Sequence, residues 1–311
     1  MTPLRKSLLA GAVLLAAAGP AMAKPHAHAA ACDRACLDGL ADRYLDAMVA
    51  KTPDSVPFAP VVRFSENSVP MEIGDGLWGS STAHATTALR AADPQSGQVA
   101  WMGVVEEHGQ PAFLALRLKV TDGKIAEVET VVRRKGGPPQ YSDPAHYAFD
   151  AAFADTATGA PTRAGLQALA TGYFDALQGG RAHARLDPKC YRQDNGAPTI
   201  PSAPAEGDVK GCADPFGAHG FKPVSRVRAR RYPVVDLERG VIIATGFFDL
   251  PAHADQPAPD KGLSWAATYP YSIGFMTAFK SDGGRIWRID SISGALPYLM
   301  PSSWSAGAAK R

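Results

Sequence analysis

The stretch Leu40-Ala-Asp-Arg-Tyr44-Leu-Asp46-Ala-Met48 recurs later in the chain as Leu169-Ala-Thr-Gly-Tyr173-Phe-Asp175-Ala-Leu177. The offset between the two tyrosines is 173 − 44 = 129 positions. In both stretches the apolar residues recur at the three- and four-residue spacing of one helix face. The sequence therefore predicts two amphipathic helices that hold equivalent places in two related segments.

Three further matches follow these helices in the same order. Each pairs a short stretch of the first half with one of the second: Glu66-Asn67-Ser68-Val69-Pro70 with Asp194-Asn195-Gly196-Ala197-Pro198; Asp93, Gly97 and Gly103 with Asp236, Gly240 and Gly246; and Asp122–Glu129 with Asp282–Asp290. One short match could arise by chance, whereas four in the same order predict an internal duplication.

Strand-like segments follow each helix. In the first half, Asp122-Gly123 separates two apolar runs, which is the signature of a tight hairpin. The predicted strands are Ala112–Val120 and Ile125–Val132 in the first half, and Val241–Phe248, Tyr271–Phe279 and Arg285–Ile292 in the second. Helices followed by antiparallel strands predict an α+β fold rather than a parallel α/β sheet.

The N-terminus has the features of a secretory signal peptide. Arg5 and Lys6 precede the apolar run Leu8–Ala18, and Ala21-Met22-Ala23 matches an A-x-A cleavage site. We therefore expect residues 1–23 to be removed, leaving a periplasmic or secreted protein with no integral membrane segment. The apolar run is too short for an ordinary membrane span.

The composition and the cysteine content of the chain bear on its possible partners and on its disulfides. The 311 residues are 46% hydrophobic and 20% charged, with a net charge of +2 and no dense basic stretch, so we expect no nucleic-acid partner. Four cysteines in an exported chain favour disulfides. We predict the local pairs Cys32–Cys36 and Cys190–Cys212, although the spacing leaves other connectivities open, and we expect no metal site.

The connector between the halves begins at Lys135-Gly-Gly-Pro-Pro and contains a predicted short helix at His146–Phe153. We predict a first domain at 32–135, a linker at 136–161 and a second domain at 162–302. The second domain has two long irregular inserts, at 193–223 and 250–262, of the kind that form lids or flaps.

Several of these stretches resemble one known family. Phe64-Ser-Glu66-Asn67, Gly74-Asp75-Gly76-Leu77-Trp78-Gly79 and the run Arg230–Gly240 with Phe247-Phe248-Asp249 are similar to uncharacterised secreted bacterial and fungal proteins of the SnoaL-like, or nuclear transport factor 2-like, superfamily. The resemblance implies two tandem cone-shaped domains, each with helices packed in a curved antiparallel sheet. It also implies that sheets pair face to face, as an intramolecular pseudo-dimer or a homodimer.

Many superfamily members perform acid–base chemistry on small hydrophobic or aromatic molecules without a cofactor, and others only bind or assemble. The resemblance thus implies a small apolar partner and no cofactor, but no particular activity. Acid–base chemistry needs a carboxylate or histidine able to exchange a proton near neutral pH. We predict Glu66, Asp194 and Asp249 as catalytic carboxylates.

The predicted substrate-binding residues are aromatic, amide, basic or imidazole side chains near those carboxylates: Asn67, Trp78, Tyr191, Asn195, Arg228, His253 and Tyr269. Arg226, Arg228 and Arg230 alternate along a predicted strand, so we expect them to share one face. Turn chemistry is an alternative explanation for Glu66-Asn67-Ser68. Likewise, Asp249 equally suits a strand end, and His253 a solvated loop.

Two functions remain open on the sequence alone. One is an exported, cofactor-independent lyase or isomerase acting on a small apolar, possibly aromatic, compound, and the other is a non-catalytic ligand-binding or interaction module. Gly74-Asp-Gly76-Leu-Trp-Gly79 matches G-x-G-x-x-G but follows no clear buried strand and opens no helix, which argues against dinucleotide binding. The chain has no G-x-S-x-G elbow and no H-E-x-x-H motif.

Overall fold

The computed structural model describes residues 32–136, 143–179, 184–198, 212, 226–251 and 269–305. The predicted signal peptide, His253 and most of both predicted inserts lie outside the described residues. In the described part of the chain, no helix has the length and apolar character that crossing a membrane requires.

Two long helices lie where the repeated sequences predict them. They are α1 at Arg34–Ala50 and α3 at Arg163–Gly179. A short helix, α2, lies at Leu77–Ser80, so the expectation that the stretch Gly74–Gly79 opens no helix is wrong. The carboxylate of Asp33 accepts a hydrogen bond from the backbone of Cys36, and the hydroxyl of Thr162 accepts one from Gly165. Both helices therefore begin with a side-chain cap at equivalent positions.

The strands of the first half precede the linker, and those of the second follow α3. The first set is β1 Phe58–Glu66, β2 Val69–Met71, β3 Ser81–His84, β4 Leu89–Asp93, β5 Gln98–Glu107, β6 Gln110–Thr121 and β7 Lys124–Arg133. The second set is β8 Leu186–Asp194, β9 Ala197–Pro198, β10 Arg226–Asp236, β11 Val241–Leu250, β12 Tyr271–Asp282 and β13 Arg285–Pro297. All the predicted strands are present, and each is longer than predicted.

The strands form two sheets with related topology. The first has the order β2-β1-β7-β6-β5-β3, with β4 also pairing with β5, and the second has the order β10-β11-β12-β13-β8-β9. In each, the first long strand returns to lie beside the last, in parallel, as β1 with β7 and β8 with β13. The expectation of purely antiparallel sheets is therefore wrong at these two pairs, because a pairing between the two ends of a half cannot be read from adjacent hairpins.

The predicted hairpin turn at Asp122-Gly123 is confirmed. Both residues have positive φ, 51° and 72°, as the central positions of a type I′ turn require. The linker differs from its prediction, since it contains two 3₁₀ turns, Pro144–His146 and Ala151–Ala154, in place of one short helix.

Each long helix packs on its own sheet. Tyr44, Leu45 and Met48 of α1 are fully buried in one core cluster with residues of the first sheet. Tyr173 and Phe174 of α3 are buried in a second cluster with residues of the second sheet. The predicted amphipathic faces are thus the faces that each helix buries.

A third cluster joins the two sheets. Met102 and Phe113 of the first sheet are packed with Ile243, Met276 and Ile292 of the second, and all five are fully buried or nearly so. Each sheet therefore has one face against its helix and the other against its neighbour. This double burial explains the nearly continuous apolar runs of β6 and β11.

Both predicted disulfides are present, Cys32–Cys36 beside the start of α1 and Cys190–Cys212 between β8 and the insert that follows it.

Candidate functional site

Two asparagines hold equivalent turns at the ends of β1 and β8. Asn67 and Asn195 have φ of 47° and 48°, in the left-handed region that asparagine tolerates. Asn67 Oδ1 accepts from the backbone N–H of Val132 at 2.9 Å, and its Nδ2 donates to the carbonyl of Val132 at 3.1 Å. Asn195 Oδ1 accepts from the backbone N–H of Ser293 at 2.8 Å. Both amides extend the parallel strand pairing, and their substrate-binding role stays a prediction.

The carboxylates that precede these asparagines are ion-paired. Glu66 Oε2 accepts from the backbone N–H of Leu77 at 2.8 Å, and its Oε1 lies 3.0 Å from the guanidinium of Arg134. Asp194 accepts two hydrogen bonds from Arg192, at 2.7 and 2.9 Å. Glu66 therefore accepts a hydrogen bond from the first residue of α2, and Asp194 neutralises the buried Arg192.

The third predicted carboxylate, Asp249, is 1% exposed. It accepts hydrogen bonds from Arg226 at 3.1 Å, from Arg228 at 2.9 Å and from the hydroxyl of Ser272 at 2.7 Å. Asp249 is therefore a buried carboxylate shared by two arginines and a serine hydroxyl. The catalytic roles of Glu66, Asp194 and Asp249 stay predictions.

The expectation that Arg226, Arg228 and Arg230 share one face is wrong. The register between β10 and β11 shifts after Arg228, and Ala229 has a φ of 50°. A bulge of this kind sends the following side chains to the opposite faces. Arg230 accordingly contacts Asp175 of α3 at 2.6 Å, on the face opposite the sheet–sheet contact.

The remaining predicted binding residues do not come together. Trp78 is 1% exposed and donates its indole N–H to the hydroxyl of Tyr44 at 2.7 Å, inside the first core. Tyr191 lies partly buried in the second half, and Tyr269 is 61% exposed. Arg228 donates to the carbonyl of Met300 at 2.8 Å and lies 4.4 Å from the ring centroid of Phe247.

A small cleft, with a cavity volume of about 20 Å³, lies between the two sheets. Asn67, Glu129 and Val131 line it from the first sheet. The second sheet contributes Arg231, Thr245, Phe247, Phe275 and Leu296 and the backbone of Gly246, Gly274 and Gly294, while Ser302 closes one end. We call this space the inter-sheet cleft. Of the predicted binding residues, Asn67 is among its lining residues.

A buried ion network forms one edge of the inter-sheet cleft. Arg117, 1% exposed, donates to Glu129 and to Glu127, both at 2.8 Å. Arg231 crosses from the second sheet to donate to the other oxygen of Glu129. Burial and the nearby charge of Arg117 lower the pKa of Arg231 from its ordinary value, despite the carboxylate of Glu129.

Trp304, from the segment after β13, lies on this network. Its indole N–H donates to the hydroxyl of Ser65 at 2.8 Å. The guanidinium carbons of Arg63, Arg117 and Arg231 lie 4.3, 4.6 and 5.5 Å from its ring centroid. Three cations therefore surround one aromatic ring at distances typical of cation–π contacts.

Four buried polar atoms at this place have no hydrogen-bond partner. They are Arg117 Nη2, Arg231 Nε, Thr245 Oγ1 and Ser303 Oγ. A buried donor without a partner costs about 1–3 kcal/mol, and native proteins usually satisfy such groups with protein, water or a bound molecule. Arg231 and Thr245 line the inter-sheet cleft, and Arg117 lies over the ring of Trp304.

The predicted repeat aligns Asp290 with Glu129, but the surroundings of the two carboxyl groups differ. Glu129 faces Arg117 across the strand pair, whereas Asp290 faces Ala278. Asp290 is 2% exposed, its Oδ2 accepts a hydrogen bond from the hydroxyl of Tyr147, and its Oδ1 has no partner.

The absence of a facing cation has an electrostatic consequence. Burial raises the pKa of Asp290 to about 7; the charges of Asp194 and Asp150 also raise it, and the hydrogen bond from Tyr147 lowers it. Asp290 is therefore a carboxyl able to exchange a proton near neutral pH.

Sequence reasoning missed most of these residues. Arg117 interrupts an otherwise apolar strand, and a charge at that position signals a buried ion pair. Glu129 and Asp290 occur in the last repeat match, but their partners come from Arg231 and from Tyr147 in the linker. No local pattern links these distant positions. Across the residues with described positions, no three His, Cys, Asp or Glu side chains are grouped as a metal site needs.

Comparison with known proteins gives weak similarities to solved structures. A Kribbella flavida protein provisionally described as a ketosteroid isomerase is 19% identical with a TM-score of 0.28, over 34% of this chain and 84% of that one. A SnoaL-like polyketide cyclase from Agrobacterium tumefaciens is 17% identical with a TM-score of 0.24, over 42% of this chain and 86% of that one. Similarity at this level does not indicate a function. No curated protein matches the chain.

A family model gives a broader match. It covers residues 30–132, which hold α1 to β6 and nearly all of β7, and residues 159–293, which hold α3 and most of the second sheet. The matched segments span more than half of the chain, which therefore belongs to the family described as a domain of unknown function, DUF8021.

Proposed function

We propose that this protein is an exported, non-catalytic binding protein for a small, partly apolar molecule that carries an anionic group, and that the inter-sheet cleft is its binding site. The observation that carries the proposal is a group of unpartnered buried polar atoms from both sheets. Arg231 Nε and Thr245 Oγ1 belong to residues that line the cleft, and Arg117 Nη2 belongs to the guanidinium over Trp304. A ligand with acceptor oxygens would satisfy these donors.

The charges around the cleft favour an anion. Arg63, Arg117 and Arg231 surround Trp304, while Glu127 and Glu129 are the carboxylates that pair with them. Close by, Arg226 and Arg228 share the single carboxylate of Asp249. Both groups have more positive than negative charges, and hydrogen bonds from arginine to an anion are among the stronger ones in proteins.

The walls favour an apolar body. Phe247, Phe275 and Leu296 line the cleft on the side of the second sheet, beside the backbone of Gly274. A side chain at Gly274 would meet Leu296 at 2.8 Å, so glycine at this position lets Leu296 lie flat against the sheet. Such a combination of apolar walls and few directed polar groups is typical of small-molecule sites.

A lyase or isomerase using acid–base chemistry is the second candidate, and Asp290 is the observation that favours it. Its raised pKa, about 7, is in the range that a general acid or base needs at neutral pH. The predicted catalytic carboxylates Glu66, Asp194 and Asp249 are instead paired with arginines. If the protein catalyses proton transfer, Asp290 with Tyr147 is the pair that we assign to it.

We further propose that the chain is a tandem duplicate of SnoaL-like units, held as an intramolecular pseudo-dimer and located in the periplasm or outside the cell. The related strand orders of the two sheets support the duplication. The two disulfides and the signal-like N-terminus support export.

Calorimetric titration with a matched pair of probes tests the binding proposal. Naphthalene-2-carboxylate has a flat apolar body and an anionic group, and naphthalene-2-methanol lacks the charge. We expect the carboxylate to bind more tightly, and Arg231→Gln to weaken its binding about tenfold or more. Arg230→Gln is the matched control, because Arg230 is the neighbouring arginine on the opposite face.

Equal binding of both probes, or an equal effect of the two substitutions, would contradict the proposal. Mass spectrometry of the incubated probes separates the two candidate functions. Conversion that is lost in Asp290→Asn would establish the enzyme, and a bound probe recovered unchanged supports the binding protein.

A further inference from the structure

The segment that carries Trp304 belongs to neither sheet. The last strand, β13, ends at Pro297, and residues 298–305 then turn back towards the first sheet. The indole of Trp304 is only 9% exposed, so this short segment buries a large aromatic ring at the edge of the cleft. We call residues 298–305 the C-terminal segment.

Side chains of the sheets hold the C-terminal segment in place. Arg228 donates to the carbonyl of Met300 at 2.8 Å, Arg63 donates to the carbonyl of Ser303, and the hydroxyl of Ser65 accepts from Trp304. Within the described residues, the segment forms no backbone ladder with a strand. Leaving this position would expose the ring of Trp304 and break a few side-chain hydrogen bonds, but it would not open a sheet.

The position of the indole has the features of an aromatic subsite. Arg63 and Arg117 lie 4.3 and 4.6 Å from its ring centroid, and Arg231 of the second sheet lies 5.5 Å away. Arg117 Nη2 and Arg231 Nε are unpartnered beside the ring, where an indole has no acceptor to offer. An aromatic ring with an anionic substituent would keep the cation–π contacts and also satisfy these donors.

We propose that Trp304 is a built-in occupant of this subsite, and that the ligand is a flat aromatic anion that displaces it. This inference rests on the proposed function and narrows it to a substrate class, an aromatic carboxylate or a related aromatic acid. The C-terminal segment then acts as a latch over the inter-sheet cleft. Binding exchanges one aromatic ring for another and adds an anion that the latch lacks.

The test measures the affinity of naphthalene-2-carboxylate for the wild type, Trp304→Ala and Ser65→Ala. A site occupied by its own latch binds ligand more weakly, in proportion to the fraction of molecules that are open. We expect Trp304→Ala to lower the dissociation constant by about tenfold or more. We expect Ser65→Ala, which removes one anchoring hydrogen bond, to lower it by a few-fold. Hydrogen exchange of residues 298–305 should become faster when the carboxylate is added to the wild type.

An unchanged or larger dissociation constant in both variants, with unchanged exchange of residues 298–305, would overturn the latch. If the wild type still binds the carboxylate through Arg231 in that case, the proposed binding function stands and only the latch fails. If no variant binds the carboxylate, both fail. Thermal melting of each variant shows whether it is folded, and Ser65→Ala tests the latch even if Trp304→Ala does not fold.

Discussion

Asp93 and Asp236 form reciprocal hydrogen bonds across the contact between the two sheets. Asp93 Oδ2 accepts from the backbone N–H of Val235 at 3.1 Å, and Asp236 Oδ2 accepts from the backbone N–H of Ala92 at 3.0 Å. Each aspartate thus binds the residue immediately before the other. This is the self-complementary pattern of an interface with twofold symmetry.

The helices repeat the reciprocity. Arg34 at the start of α1 binds Asp236 of the second half at 2.6 Å, and Arg163 at the start of α3 binds Asp93 of the first half at 2.7 Å. Burial alone would raise the pKa of Asp93, but hydrogen bonds from Arg163, Ser96 and Val235 outweigh it and hold the pKa below its ordinary value. Asp93 therefore stays charged, and both aspartates connect one half of the chain to the other through these hydrogen bonds.

Replacing either aspartate with alanine should destabilise the whole chain. Each change leaves a buried backbone N–H without its acceptor and removes the aspartate partner of an arginine. We therefore expect Asp93→Ala and Asp236→Ala each to lower the free energy of unfolding by about 3 kcal/mol. Urea unfolding, monitored by circular dichroism, measures the loss in the free energy of unfolding. Asp42→Ala is the control, because Asp42 forms an exposed pair with Arg90 and should cost under about 0.5 kcal/mol. Similar losses of stability in all three variants would contradict a special contribution from the reciprocal hydrogen bonds of Asp93 and Asp236.

Asp290 should make stability fall as pH rises. Its pKa is about 7 in the folded protein against 3.8 for an unperturbed aspartate, so between these values the folded state holds a proton that the unfolded chain releases. The free energy of unfolding therefore decreases from about pH 4 to about pH 7 through this group, and changes no further above that range.

The substitution Asp290→Asn isolates this contribution. Relative to the wild type, the variant should gain stability with rising pH, by roughly 2–4 kcal/mol between pH 4.5 and pH 8. Denaturant unfolding at several pH values gives the difference, and the exposed Asp54→Asn serves as the control. A difference that does not depend on pH would show that Asp290 titrates normally.

The substitution Thr245→Val should weaken ligand binding without lowering the stability of the fold. The hydroxyl of Thr245 is buried without a partner, so its removal should leave the free energy of unfolding unchanged or raise it by about 1 kcal/mol. The same change should weaken binding of naphthalene-2-carboxylate by about three- to tenfold. Thr277→Val is the matched control, since the Thr277 hydroxyl is bonded to Ser291 at 2.8 Å and its loss should destabilise the fold by about 1 kcal/mol. Equal destabilisation by both changes would mean that Thr245 has an ordinary structural partner.

The two disulfides should differ in what they contribute to stability. Cys190–Cys212 closes a loop of sequence separation 22, and Cys32–Cys36 one of separation 4. In the chain-entropy account, their removal costs about 3 and about 2 kcal/mol respectively. Two variants, each with both cysteines of one disulfide replaced by serine, are compared with the fully reduced wild type by thermal melting. Their melting temperatures show which disulfide contributes more to stability. A larger loss at Cys32–Cys36 would show that the constraint on the start of α1 matters more than loop length.

The candidate site was much less predictable than the elements around it. Asn67 was predicted at the site, and the structure places it on the wall of the inter-sheet cleft. Arg117, Arg231 and Trp304 were not predicted, because each belongs to a different element and only the packing of sheet on sheet brings their side chains together. The bulge at Ala229 had no sequence signal, and it decides that Arg231 rather than Arg230 reaches Glu129.

The sequence by itself determined the buried faces of the two long helices, the hairpin turn and the positions of the predicted strands, because these depend on residues close together in the chain. Only the tertiary structure decided that the ends of each half pair in parallel, that the sheets share a core, and that Glu129 has two cations while Asp290 has none. The physical reason is that alternation along a strand specifies which face a side chain takes, but not which distant surface packs against that face.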